Sequence, residues 1–359
     1  MSGGVDSSVA ACLLKEQGLK CYGATMKLHH VQADANPDDN PQIGKTCCSL
    51  LDTEDARNVA YRLGIPFYVF NFADDFRKNV IDRFVNAYHL AHTPNPCIDC
   101  NRYIKFDRFL RRCDELELDF MATGHYARIH YDTASNRYLL QKAVDAKKDQ
   151  SYFLYAMTQK QLSRTLFPLG NYQKQEVREI AMQHGFVNAS KRESQDICFI
   201  PDGDYAAFIE NYSGLPQAEG DFIDPSGRVV GRHRGLFRYT IGQRKGLGIG
   251  SSMPYYVYAF DTAANVVFLG REEQLYTRIL EADDVNLIVS DMLDKPMRVT
   301  AKVRYRQAEV LAEVEQIALD RVRVVFEHPQ KAIAPGQAVV FYDGDYVVGG
   351  GTIRIARER

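Results

Sequence analysis

The chain has 359 residues, enough for two or three domains at roughly 100–200 residues each. Hydrophobic residues make up 45% and charged residues 25%, which excludes a disordered chain, a collagen and a coiled coil. A net charge of −2 excludes a uniformly basic nucleic-acid coat and leaves room for a local basic patch.

No apolar run approaches the roughly 18 residues that span a bilayer, and no basic-then-apolar leader opens the chain. The expectation is a cytoplasmic protein without a membrane partner. Its eight cysteines are then expected to be reduced. Cys12 and Cys21 sit among apolar residues and read as small buried hydrophobes. Cys97, Cys100 and Cys198 lie in polar, loop-like contexts and do not fit that reading.

In chain order, Ser7 to Gln17 reads as a helix closed by Gly18, and Lys20 to Met26 as a strand. Asp52 caps a helix to Leu63, and Phe67 to Asn71 is a short strand. Asp74 to about Leu90 keeps helical spacing, as does about Asn101 to Glu117. Phe120 to Thr123 is a strand. Strand alternating with helix argues for a parallel sheet covered by helices. After about Pro201 the apolar runs become short, alternating and rich in Val and Tyr. Tyr255 to Phe260, Val266 to Leu269, Val299 to Tyr305, Val322 to Phe326 and Ala338 to Tyr342 suggest small β-domains or barrels. The expected division is a catalytic α/β domain over 1–200, a central β-rich domain over 201–275 and a C-terminal β-barrel over 276–359.

Ser2-Gly3-Gly4-Val5-Asp6-Ser7-Ser8 opens the first helix. Its glycines let the backbone approach an anion, and helix-start amides point towards it. Ser2, Ser7 and Ser8 add hydroxyl donors, and Asp6 is expected to orient a Mg²⁺-bound phosphate. The alternative is a capped helix with a flexible start. The Gly-Lys-Ser/Thr ending of a Walker A loop is missing. A strand normally feeds such a loop in a parallel sheet. Met1 leaves no room for one, so a short apolar strand is expected upstream in the native protein.

Cys97-Ile98-Asp99-Cys100 follows two stiffening prolines, Pro94 and Pro96, and precedes a helix. A thiolate at Cys100 would gain from the helix N-terminus. A zinc site needs further ligands that the spacing does not supply, and a thioredoxin-like pair is the other alternative. The run from Pro225 to Gly246 holds six basic side chains, Arg228, Arg232, Arg234, Arg238, Arg244 and Lys245, and no acidic one, and His233, Phe237 and Tyr239 interleave. This reads as a phosphate-tracking surface, against the blander reading of a solvated face. Lys302, Arg304 and Arg306 alternate on an expected strand and would share a face.

The SGGVDSS string resembles the PP-loop of the N-type ATP pyrophosphatases. Together with Gly23-Ala24-Thr25-Met26-Lys27, the Thr93–Asn101 segment, Ile104-Lys105-Phe106, Ala122-Thr123-Gly124-His125-Tyr126, Lys148 to Leu154, Asp196 to Ile200, Gly242 to Gly248 and Arg304 to Gln307, the chain resembles the bacterial tRNA-specific 2-thiouridylases over nearly its whole length. The resemblance implies ATP and Mg²⁺ as cofactors. It implies adenylation of the C2 oxygen of the wobble uridine in tRNAs for Lys, Glu and Gln, then sulfur delivery from a persulfide. By motif, Cys198 carries the persulfide and Cys100 is the partner nucleophile, able to form a disulfide with it. The persulfide would come from a cysteine desulfurase or a sulfur-relay protein. Met1, Ser2, Gly3, Gly4, Val5, Asp6, Ser7, Met26 and Gly124 correspond to nucleotide-binding positions. Asn95, Pro96, Cys97, His125, Lys148, Asp149, Gln150, Arg304, Tyr305 and Gln337 correspond to tRNA-contacting positions. One common form of the family has Asp where this chain has Cys97. With Cys97, Cys100 and Cys198 as ligands, a [4Fe-4S] cluster with one open iron is a further expectation. Two other readings are another PP-loop adenylating ligase or amidotransferase, and a non-catalytic RNA-binding protein.

Overall fold

The computed structural model describes residues 1–28, 50–189, 191, 197–214, 218–250 and 253–355. Cys47, Cys48 and Asp196 lie outside the described residues. Two compact units emerge, one of Met1–Ile81, Pro96–Asp204 and Asp345–Val347, the other of Asp82–Asn95, Tyr205–Gly344 and Val348–Arg359.

In the first unit, β1 (Gly23–Lys27) pairs in parallel with β2 (Phe67–Asn71), Gly23 opposite Phe67. β3 (Met121–Ala122) pairs in parallel with β6 (Thr165–Leu166), while β4 (Arg128–Asp132) and β5 (Arg137–Gln141) form a hairpin. Among the described residues no ladder joins β1 to β3. A cavity of about 800 Å³ is lined by residues of both strands. Helix α1 (Val5–Glu16) packs Val5, Val9, Cys12 and Leu13 against Val59 and Leu63 of α2 (Leu50–Leu63) and Val177 and Ala181 of α3 (Lys174–Gln183). Each buried Val or Leu among them contributes about 1.5–3 kcal/mol, so the helix carrying the loop is firmly seated.

Two expected helices form with changed winding. The run from Ala73 to His89 contains a π-helical stretch at Arg77–Ile81. The CIDC helix starts earlier than expected, at Pro96, and is π-helical over Cys100–Arg108 before returning to α over Phe109–Glu115. Cys100 therefore lies a full turn inside the helix, and Cys97 occupies the first turn. Dipole stabilisation fades beyond that turn, which corrects the expectation placed on Cys100. Asp52 sits within α2 rather than capping it.

In the second unit, β7 (Gly220–Ile223), β8 (Val229–His233), β9 (Tyr256–Asp261) and β10 (Val266–Gly270) form a sheet of order β8-β7-β10-β9 around Phe222, Val257, Val267 and Leu269. Six further strands close a barrel: β11 (Tyr276–Leu287), β12 (Met297–Lys302), β13 (Val310–Ala318), β14 (Arg321–Lys331), β15 (Ala338–Asp343) and β16 (Tyr346–Ile355), with β11 pairing both β14 and β16. Alternation fixes which way each strand faces. On β13, Ala312 and Val314 point into the barrel core while Glu313 and Glu315 are exposed. The strand expected over Val299 to Tyr305 stops at Lys302, and Arg304 and Arg306 sit in the turn beyond it. The shared basic face expected there does not form. Among the described residues no helix is long and apolar enough to cross a membrane.

Candidate active site

The first unit builds its site on the leading loop. Gly3 has φ +69°, and a Cβ there would lie 2.4 Å from the Asp52 carbonyl oxygen, so the turn needs glycine. The Ser2 amide donates to Ser7 Oγ at 3.0 Å, and the hydroxyls of Ser7 and Ser8 donate to the Gly4 carbonyl at 3.1 and 3.0 Å. Buried Asn188 donates to the Gly3 carbonyl at 2.9 Å and to Ser8 Oγ at 3.0 Å. Lys191 reaches Asp52 and Asp55 at 2.6 and 2.7 Å. The Met1 amine donates to the Ala24 carbonyl, and Thr25 Oγ1 donates to the Met1 carbonyl, so the loop is laid along β1.

Asp6 departs from its expected use. Lys174 Nζ donates to Asp6 Oδ1 at 2.7 Å and to Oδ2 at 2.8 Å, and the Tyr126 hydroxyl donates to Oδ1 at 2.7 Å. Both carboxylate oxygens are engaged by the protein, so in this geometry Asp6 anchors the loop rather than facing a phosphate-bound metal. Gly124 presses on the same place. A Cβ there would lie 2.7 Å from the Asp6 carbonyl carbon and the Ser7 nitrogen.

The cavity beside the loop is lined by Met1, Ser2, Asp6, Ser7, Met26 and Gly124, six of the nine expected nucleotide-binding residues. Gly3 and Gly4 form the turn, and Val5 is the first residue of α1. Of the residues expected to contact tRNA, His125 and Gln150 line it too. Lys105 and Arg112, which the sequence reading did not single out as site residues, add positive charge to its wall. Lys105 Nζ is 3.5 Å from His125 Nε2, and Thr123 Oγ1 is 2.7 Å from His125 Nδ1. Burial, then the Lys105 charge, hold His125 well below the usual histidine range, so it is neutral at pH 7.

The other expected residues take varied positions. Asp149 accepts from the Ala143 amide at 3.0 Å and from Ser151 Oγ at 2.7 Å, which makes it the organiser of its own turn. Lys148 and Pro96 belong to the same unit. Cys97 is exposed, Cys100 buried and Cys198 half-buried. Phe199, next to Cys198, packs edge-on against Phe76 at 5.8 Å. In the second unit, Gln337 Nε2 donates to the Thr93 carbonyl at 2.8 Å, and Arg304, Gln337 and Thr93 line a smaller cavity of about 340 Å³. Asn95 and Tyr305 belong to that unit.

The basic segment is less open than its sequence suggests. Arg228 pairs with Asp224 at 3.2 Å, Arg232 approaches Glu219 at 3.8 Å, and Arg238 pairs with Glu210. The acidic partners lie outside or just before the run, so reading the run alone missed two of them entirely. Arg234, Arg244 and Lys245 remain exposed.

A Gly-Ser loop opening a helix beside parallel strands, with a cavity next to it, marks an α/β enzyme fold of the kind whose helix-start amides can meet an anion. Residues 1–202 match the family model described as tRNA methyl transferase HUP domain, 206–271 the tRNA methyl transferase PRC-barrel domain, and 277–353 the aminomethyltransferase beta-barrel domain. A tRNA-specific 2-thiouridylase MnmA of Moorella thermoacetica is 51% identical over 98% of this chain and 98% of its own length. Those of Clostridioides difficile and Acetivibrio thermocellus are each 49% identical, over 98% and 99% of this chain and 96% and 98% of their own lengths. The domain descriptions speak of methyl transfer while the relatives are named for thiolation, and identity over the full length carries the assignment. The chain belongs to the tRNA-specific 2-thiouridylase family of enzymes.

Proposed function

We propose that this chain uses ATP to adenylate the C2 oxygen of the wobble uridine in tRNAs for Lys, Glu and Gln and replaces that oxygen by sulfur. The observation that supports it most is the cavity in which the loop, Met26 and Gly124 meet. A carbonyl oxygen is a poor leaving group, and adenylation makes it leave as AMP after pyrophosphate has departed. The amides at the start of α1 would hold the phosphates, and Mg²⁺, when bound, would supply further positive charge to them. Lys105 balances part of the remaining charge.

The terminal sulfur of a persulfide on Cys198 then attacks C2. Cys100 attacks the Cys198 sulfur, the S–S bond breaks, and the product leaves as a thiocarbonyl. A Cys100–Cys198 disulfide remains and is reduced by a cellular dithiol. Asn95, Pro96, Cys97, His125, Lys148, Asp149, Gln150, Arg304, Tyr305 and Gln337 are the proposed tRNA contacts, and a desulfurase or relay protein in the cytoplasm supplies the sulfur. The reading is tested by mass spectrometry of wobble nucleosides after iron-free protein is incubated with tRNA, a persulfide donor and ATP. ATP-dependent 2-thiouridine supports it and shows that no cluster is needed. Its absence, with activity appearing only after iron is restored, favours the cluster held by Cys97, Cys100 and Cys198.

A further inference from the structure

Helices α1 and α3 are tied together at both ends. Lys174 joins Asp6 at the loop end, and His184, the residue that caps α3, joins Glu16 at the other, with Nε2 3.1 Å from Oε1. One turn before Glu16, Cys12 points its Sγ at the same oxygen, 3.9 Å away. Among the described residues, these three form the one group whose potential ligand atoms all lie within 4.8 Å of one another.

We propose that Cys12, Glu16 and His184 form a binding site for a borderline-soft divalent metal ion, zinc by chemistry, which clamps α1 to α3. A thiolate, an imidazole and a carboxylate are the ordinary protein donors for zinc, and three of them leave a fourth position for water. Bond lengths of about 2.3 Å to sulfur and about 2.0–2.2 Å to nitrogen and oxygen set tetrahedral ligand atoms roughly 3.3–3.6 Å apart. The N···O separation of 3.1 Å is already near that spacing, and the S···O separation of 3.9 Å needs to shorten by a few tenths of an ångström. The Cys–Glu spacing of four residues on one helix puts both donors on one face. The His184 ring is held by stacking on Phe186 at 5.7 Å.

The surroundings favour a cation that arrives from solvent. Cys12 is buried at 1% exposure, whereas Glu16 is exposed and His184 partly so. Burial, and then the Glu16 carboxylate, push the thiol up to about 11, so without a metal it keeps its proton. Metal binding replaces that proton, which leaves to solvent.

The test is titration of chelator-stripped protein with cobalt(II) chloride. The expected result is one saturable site with a thiolate-to-cobalt charge-transfer band, displaced by zinc. Cys12→Ser removes the band. His184→Ala weakens binding by about tenfold or more, since losing an outer-shell partner alone costs about 10–100-fold. A Cys97→Ser, Cys100→Ser, Cys198→Ser variant keeps the band. Retention of the band in Cys12→Ser, its loss in the triple variant, or the lack of any saturable site overturns the proposal. Should Cys12→Ser not fold, the partly exposed His184 supplies the second variant, and wild-type affinity in His184→Ala sinks the site.

Discussion

Lys174 spans both oxygens of the Asp6 carboxylate, at 2.7 and 2.8 Å, from a side chain only 10% exposed. The loop's one carboxylate is thus neutralised by the protein itself, while the Ser7 and Ser8 hydroxyls are turned back onto the Gly4 carbonyl. Removing Lys174 leaves that carboxylate beside the incoming phosphates. Lys174→Met is expected to weaken ATP binding and slow ATP–pyrophosphate exchange. It should also cost about 3 kcal/mol of stability, the low end for a broken buried pair because Asp6 is partly open. Lys174→Met with Asp6→Asn should recover stability but not exchange. Unchanged exchange in Lys174→Met would show that the pair does not shape the loop.

Gly124 offers a narrower probe. A methyl group at 2.7 Å from the Asp6–Ser7 peptide must push the loop. Gly124→Ala is therefore expected to lower ATP affinity tenfold or so, about 1.4 kcal/mol. Isothermal titration with a non-hydrolysable ATP analogue measures it. Wild-type affinity would mean the loop yields freely.

The basic segment divides into two groups. Arg234→Ala, Arg244→Ala and Lys245→Ala together should flatten the salt dependence of tRNA binding by roughly 0.7–0.9 per lost phosphate contact. Arg238→Ala should chiefly lower the melting temperature, because Arg238 holds Glu210. Equal salt slopes before and after the triple change would make the run a solvated face.

Acid sensitivity follows from three histidines. Burial lowers His125, His92 and His233 below the ordinary value of 6.5, with Lys105 adding to the effect at His125. Below about pH 6.5 the unfolded chain takes up protons that the folded chain resists, so stability falls as pH drops through that value towards the folded ones. His125→Gln should reduce the slope between pH 7 and 5. Thermal melts across that range measure it, and a slope unchanged in His125→Gln would contradict the assignment.

Much of the fold could be read in the sequence because periodicity survives tertiary packing. The barrel strands announced themselves through alternation, as in Val322 to Phe326, where Val322, Val324 and Phe326 are buried; the strand Val310–Ala318 was not read from the sequence. The loop was legible because glycine and serine carry their chemistry locally. What escaped depends on distance along the chain. Nothing near Asp6 points to Lys174, and nothing near Arg238 points to Glu210. The π-helical winding at Cys100–Arg108 leaves no mark that a 3.6-residue pattern detects. For the same reason Cys12 read as a small apolar residue, since Glu16 lies one turn on but His184 comes from another helix.

The central claim is that the chain activates tRNA with ATP and that Cys198 then delivers the sulfur. It is tested most directly by comparing wild type and Cys198→Ser for two products in one reaction, pyrophosphate and 2-thiouridine. The account predicts tRNA-dependent pyrophosphate release from both proteins and thiolated nucleoside from the wild type alone. Wild-type-like thiolation by Cys198→Ser would contradict it.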